Sequence, residues 1–403
     1  MRPASLLELL VVVVYDPPPP EGAFTLRGDG IGLSWSADVA LARVGTSSNF
    51  TATLQYDAAQ RAATPVVAMK ALLDGAYAVG ANVELRLSAA ARSTIILKPW
   101  FGKQGGRLVV LHDVVSPRLG NTRDVVVYLP PSYAENSAVD QYPLLLLQDG
   151  QNLFNASTSF GGIAWRCDRT VDELVAEGKM HEVVMVGIDN ACAERIDEYT
   201  YSVDATYGGG NAAAYLAFVL ETVLPLVRAT FPRTVGGALS VGGSSLGGLF
   251  ACWAAWTHPE MFERAICMSS SFWWNKSVRV HSFPRALPLR HPSPLAHTAS
   301  RCRPYNADND HTSSYDFNNT IVANATAPRA LYERIYLDTG DTDGDTDIHP
   351  ATIAVDAHMT KLGLDPFYYL DRGGSHDEAS WGARFHVPMA ALYPPQINVP
   401  AAV

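Results

Sequence analysis

The sequence predicts two folded units in series: a small all-β sandwich over residues 23–102, then a mostly parallel sheet with helices on both faces over residues 103–403. Three observations lead there. The chain has 403 residues, more than one ordinary domain uses. Its early part consists of short apolar runs between turn residues, with little helical period. Beyond it, apolar runs alternate with amphipathic stretches, the pattern of strands buried on both faces by crossover helices.

Residues 1–22 read as an N-terminal tail. The run LLELLVVVVY resembles a remnant signal segment, but Glu8 interrupts it and no small-residue cleavage site follows. It is also too short to span a bilayer, so stable membrane insertion is not expected. Pro17 to Pro20 then stiffen the chain. The sandwich strands are read as FTLRG, IGLSWS, FTATLQY, PVVAMKALL, VELRLS and STIILKPWF, and the loop GKQGG marks the boundary. In the second unit, LVVLHDVV, DVVVYLP, PLLLLQDG, VVMVGIDN, ALSVGG, AICMSSS, RIYLDTG and FYYLDRGG read as strands. RTVDELVAEG, NAAAYLAFVLETVLPLVRATF, SLGGLFACWAAWTH and TIAVDAHMTKLGL read as helices. Residues 276–330 form an irregular insertion. From Lys276 to Asn306 it has no Asp or Glu but five Arg residues, and reads as a surface insertion or a cap over a site.

Composition narrows the function. A formal net charge of -10 argues against nucleic acid or an anionic membrane as the main partner. The five cysteines show no CxxC spacing, so neither a zinc site nor a redox pair is expected. Sequons begin at Asn49, Asn155, Asn275, Asn318 and Asn324. They favour a secreted glycoprotein, with the cytoplasm as the alternative.

Chemistry enters at Gly243-Ser244-Ser245-Leu246-Gly247, a G-x-S-x-G motif between the strand ALSV and an apolar helix. That context is a nucleophile elbow: a sharp strand-to-helix turn that presents the serine, here Ser245, at the helix N-terminus. A serine hydroxyl needs a base, and the base needs a carboxylate to orient it. Among the later histidines, His349 precedes a proline, His358 lies in a helical stretch and His386 follows a packed segment. His376 alone occupies a loop, GGSHDE, after the last strand. The acid belongs after RIYLDTG, where Asp341, Asp343, Asp345 and Asp347 all qualify, with Asp338 inside the strand. Asp343 is the preferred acid and Asp341 the alternative. The alternating acids of DTDGDTD also suggest a calcium loop, but the sixth and twelfth positions are Thr346 and Thr352 rather than Gly and Glu, so no metal is expected. An oxyanion needs two N–H donors, expected from Leu246 after the nucleophile and from Gln151 in the loop after PLLLLQDG.

The ordered segments VVVYLPPSY, YPLLLLQDGQNLF, VGIDN, GGSSLGG, SSSFWW, IYLDTG and GSHDEASWGARF resemble the esterase family that contains enterochelin esterases, feruloyl and acetyl-xylan esterases and the mycolyl transferases. The resemblance implies an α/β-hydrolase fold and a Ser-Asp/Glu-His triad with no metal or cofactor. It carries Ser245 as nucleophile, His376 as base, and, through a G-x-x-[DE] pattern after Gly340, Asp343 as acid. It also supports the Gln151 N–H. The N-terminal unit is similar to starch-binding-like or immunoglobulin-like modules, in which Trp35 and Trp100 would either stack on sugar or fill the core, and Tyr77 stands where such a module shows Trp. Trp273, Trp274 and Glu198 are candidate pocket residues, with Arg195 as a candidate partner of Glu198. The expected function is a serine carboxylic-ester hydrolase acting on a small-molecule, carbohydrate-linked or siderophore-type ester. The alternatives are an acyltransferase with the same triad and a non-catalytic carbohydrate-binding protein.

Overall fold

The computed structural model describes residues 6–19, 21–102, 105–139, 141–274, 317, 331, 333–395 and 397–402. Apart from Phe317, the insertion 276–330 lies outside the described residues.

Two five-stranded sheets form the N-terminal unit. One runs, in spatial order, Ala401–Ala402, Arg92–Leu97, Leu7–Val14, Asn49–Tyr56 and Ala42–Arg43. The other runs Val39–Ala40, Phe24–Gly28 and Val66–Leu73, with Ala76–Tyr77 and Val83–Arg86 both paired to the last of these. Leu9, Val11 and Val13 from one sheet bury against Phe24, Leu26, Val67 and Met69 from the other. Two expectations are corrected here. Leu7–Val14 is not part of a tail but a central strand, antiparallel to Asn49–Tyr56 and parallel to Arg92–Leu97. Both phases of LELLVVVV are almost wholly apolar, which hides the period-two signal that packing makes visible. IGLSWS is not a strand, because Gly30, Ile31 and Gly32 all have positive φ and turn the chain.

The larger sheet has eight strands: β1 (Arg107–Ser116), β2 (Asn121–Leu129), β3 (Leu144–Gln148), β4 (Val184–Ile188), β5 (Leu239–Ser244), β6 (Arg264–Met268), β7 (Ile335–Gly340) and β8 (Phe367–Asp371). Their order is β1-β2-β4-β3-β5-β6-β7-β8. The pairs β1–β2 and β2–β4 are antiparallel, and every other pair is parallel. Strands β3, β4, β5 and β7 are buried along their whole length. Successive leucines of β3 therefore serve two cores. Leu145 and Leu147 pack with α1 (Cys167–Ala176) on one face. Leu144 and Leu146 pack with α3 (Ser245–Thr257) on the other. The carboxyl ends of β3, β5, β7 and β8 converge, and loops from those ends build the site.

The two units are tied together. The buried Asn136 side chain donates to the carbonyls of Val14 and Pro99, at 3.1 and 2.8 Å, and accepts from the Asp16 N–H. The Glu135 carboxylate accepts from Tyr15 Oη and from the N–H groups of Phe101 and Gly102. Trp100 is buried in the core shared with β3 and α1, so it cements this junction and does not offer a sugar platform. Trp35 and Tyr77 are partly exposed, and the Tyr77 hydroxyl accepts from Arg27. Asn136→Ala leaves three backbone groups at the junction without their partner, and is expected to cost on the order of 3 kcal/mol in urea unfolding. A loss below about 0.5 kcal/mol would show that the junction does not depend on this side chain.

Candidate active site

The turn between β5 and α3 places Ser245 in the left-handed region, φ 56°, where a non-glycine residue is strained. Close packing holds it there. A Cβ at Gly247 would sit 2.9 Å from Gln148 Cβ at the end of β3, so only glycine lets the helix approach the neighbouring strand.

Ser245 Oγ lies 2.9 Å from His376 Nε2, and His376 Nδ1 lies 2.8 Å from Asp345 Oδ1. With Nδ1–H donated to the carboxylate, Nε2 is left as the acceptor for the serine proton. The imidazole packs edge-on against Trp381 at 4.8 Å between centroids. The outer oxygen of Asp345, Oδ2, accepts from Ser269 Oγ at 2.7 Å and from the Gly340 N–H at 2.6 Å. Burial pushes the Asp345 carboxyl up, but the hydrogen bonds and charge of His376, with Ser269 and Gly340, outweigh it, and its pKa falls below the usual carboxylate range. Ser271 Oγ stands 3.3 Å from Ser245 Oγ.

Thus two residues named from the sequence, Ser245 and His376, meet, and the third is corrected. Neither Asp343 nor Asp341 faces the imidazole. Asp343 is exposed, and only its main-chain carbonyl accepts from the His376 N–H. Asp341 Oδ1 accepts from the Gly373 N–H at 2.6 Å. The chain reverses at Gly344, φ 83°, and Asp345, the first residue of α4 (Asp345–Lys361), is folded beneath the strand ends. No local pattern in DTDGDTD marks which acid becomes buried. His349 instead shares hydrogen bonds with Thr339 and Tyr368.

The loop after β3 is clamped beside the elbow. Asp149, φ 56°, accepts from Arg195 Nε at 2.7 Å and a terminal nitrogen at 2.8 Å, and from Asn190 Nδ2 at 2.6 Å. Gln151 Oε1 accepts from the Asn190 N–H. These contacts fix the turn Gly150–Asn152 and the main chain of Gln151. Leu246 lies in the first turn of α3, where N–H groups have no helical acceptor.

The pocket expectations fare differently. Trp273 is partly buried and meets Tyr207 edge-on. Trp274 is sealed in the core, its Nε1 donating to the Ser202 carbonyl at 3.0 Å. Glu198, on α2 (Arg195–Tyr199), is equally sealed, in an ion pair with Arg123 at 2.7 Å. Neither Trp274 nor Glu198 is a pocket wall, and Arg195 pairs with Asp149 rather than Glu198. A carboxyl not named as a pocket residue, Glu378, stands at the start of α5 (Glu378–Arg384) and accepts from Asn152 Nδ2 at 3.0 Å. Burial, followed by the charge of Asp149, pushes its pKa up to about 7.

This strand order, with a strained serine at the end of β5, a histidine on the loop after β8 and an aspartate at the start of the helix after β7, defines an α/β-hydrolase fold. The chain belongs to the Putative esterase family, which matches residues 116–392. It is 28% identical over 176 residues to the uncharacterised protein YbbA of Bacillus subtilis strain 168, covering 41% of this chain and 63% of that one. It is 31% identical over 145 residues to the siderophore triacetylfusarinine C esterase of Aspergillus fumigatus, covering 34% and 47%. The chain thus spans less than two thirds of the length of these curated relatives. In structure it is similar to the enterobactin esterase of Shigella flexneri solved in the presence of enterobactin. That match has a TM-score of 0.51 and 16% identity, and covers 96% of this chain and 93% of the other.

The raised Glu378 pKa has a measurable consequence. The folded protein holds this proton between about pH 4.5 and 7 while the unfolded chain has lost it, so wild-type stability falls as pH rises through that window. Glu378→Gln should remove that loss. Its stability relative to wild type is expected to rise by on the order of 1–2 kcal/mol between pH 5 and 8, less than the full shift because the group is partly exposed. A flat difference would mean that Glu378 titrates normally.

Proposed function

We propose that this chain is a serine carboxylic-ester hydrolase that works through an acyl-enzyme on Ser245. The single observation that carries the reading is the continuous array Ser245 Oγ, His376 and Asp345, at 2.9 and 2.8 Å. Ser245 Oγ attacks the ester carbonyl carbon while its proton passes to His376 Nε2. The buried anion of Asp345 stabilises the resulting imidazolium. The Leu246 and Gln151 N–H groups receive the oxyanion, each worth roughly 3 kcal/mol in the transition state. Collapse breaks the bond to the alcohol, which leaves with the proton from His376. Water then attacks the acyl-serine, His376 takes its proton, and the acid is released as Ser245 is reprotonated.

For substrate we propose a siderophore-type ester, supported by the siderophore esterase among the relatives and by membership of the family. A secreted location is the accompanying proposal. It is supported by the sequons in the sequence.

Turnover of p-nitrophenyl butyrate, triacetylfusarinine C and enterobactin, with labelling by a fluorophosphonate, tests the reading. Wild type is expected to label and turn over, and Ser245→Ala to do neither. A wild type that neither labels nor turns over would instead support a non-catalytic binding protein. Product formed only when an acceptor alcohol is added would support an acyltransferase. The acid assignment is tested separately. Asp345→Asn is expected to lower kcat about 10³- to 10⁴-fold, as loss of a triad acid does, whereas Asp343→Asn stays within a few-fold of wild type. The reverse order would return the role to Asp343.

A further inference from the structure

Behind the triad lies a buried charge cluster that the hydrolytic steps do not use directly. Arg384, at the end of α5, is 1% exposed. Its guanidinium forms ion pairs with Asp338 of β7 at 3.1 Å, Asp371 of β8 at 3.2 Å and Asp345 of α4 at 3.5 Å. It also donates to Ser269 Oγ, just beyond β6, at 2.5 Å. One cation thus joins the ends of three adjacent strands to the acid that holds His376.

The polarity of this cluster is determined. A guanidinium only donates, so Ser269 Oγ accepts from Arg384 and its own proton is directed to Asp345 Oδ2. That oxygen then receives Ser269, Gly340 and, at 3.5 Å, Arg384 itself, and Oδ1 is left for His376. Charge matters as much as direction. Asp338 is fully buried, and its Oδ1 accepts from the same Ser269, through the main-chain N–H. Two buried carboxylates that share Ser269 as a donor are costly to keep ionised in a dry interior unless a cation such as Arg384 faces them. The groups that face the cluster are Asp338 and Tyr336 from β7, Asp371 from β8, Asp345 from α4 and His376 from the loop after β8.

We propose that Arg384 is a positioning residue for the triad acid: with Ser269 as its relay, it keeps Asp345 anionic and aims Oδ1 at His376. This rests on the serine-hydrolase reading for its kinetic consequence but not for its structural one, and the test separates the two.

The test compares wild type with Arg384→Met, Arg384→Lys and the pair Arg384→Met/Asp338→Asn. It follows kcat and KM against pH, and the NMR signal of the His376 Nδ1 proton. In Arg384→Met the buried carboxylates lose their cation, so the cluster is expected to take up a proton that must be lost before Asp345 is anionic. At pH 7, kcat is expected to fall about 10- to 100-fold, less than on loss of the acid itself, with KM within about 3-fold. The acidic limb of the kcat profile is expected to move up, and the Nδ1 proton signal upfield. Lysine, which restores the charge without the fork, is expected to recover part of the loss. The paired variant keeps the net charge of the cluster, and an Asn at position 338 can still accept from the Ser269 N–H. It is expected to fold even where Arg384→Met does not, to regain at least about 10-fold in kcat, and to return the limb and the NMR signal toward wild type. A folded Arg384→Met with wild-type kcat, pH profile and Nδ1 signal would overturn the proposal. So would a folded paired variant whose signal and limb stay displaced. If wild type turns over no ester, the function is wrong, and the Nδ1 signal alone decides the role of Arg384.

Discussion

The left-handed turn at Ser245 is the constraint around which the catalytic unit is organised. A serine at φ 56° is stable only where its surroundings over-determine it, and here they do. The strand before it is buried on both faces, and the helix after it is almost wholly buried. Gly247 lets that helix press on the end of β3. The same close approach sets the loop after β3 beside the nucleophile, and through Asp149 and Arg195 it fixes the main chain of Gln151. Strain at one residue, opposed by packing on every side, leaves the hydroxyl facing outward to His376.

Among the described residues, the charges near the sheet ends are held in pairs and clusters, sealed at Arg123 and Arg384 and partly exposed at Arg195. Arg123 faces Glu198, Arg195 faces Asp149, and Arg384 faces three aspartates. Replacing such a pair by apolar groups is often neutral or stabilising, whereas removing one partner is costly, so these pairs are better read as fixing geometry than as adding stability. Two of the three lie against the reactive array, one bracing the loop after β3 and one bracing the acid. The third, Arg123–Glu198, is sealed further back and stacks under Tyr215 and Phe218.

What the sequence by itself determined was local in range. Alternating strand and helix patterns, the glycines around Ser245, and a histidine in the loop after the final strand are features of a few consecutive residues. Backbone geometry there depends on the residues present, and so the fold and two of the three members of the array were legible. What the tertiary structure alone decided was burial. Asp341, Asp343 and Asp345 are equivalent in sequence, and they differ only because the turn at Gly344 folds the last of them under the strand ends. Leu7–Val14 has two apolar phases, and only its partner strands select the inner one. For Trp100, Trp274 and Glu198 the sequence left pocket and core both open and burial decides for core, and Arg384, 39 residues from Asp345, reaches it only once α5 is docked. Desolvation and ion pairing are set by neighbours distant along the chain, and no local pattern encodes them.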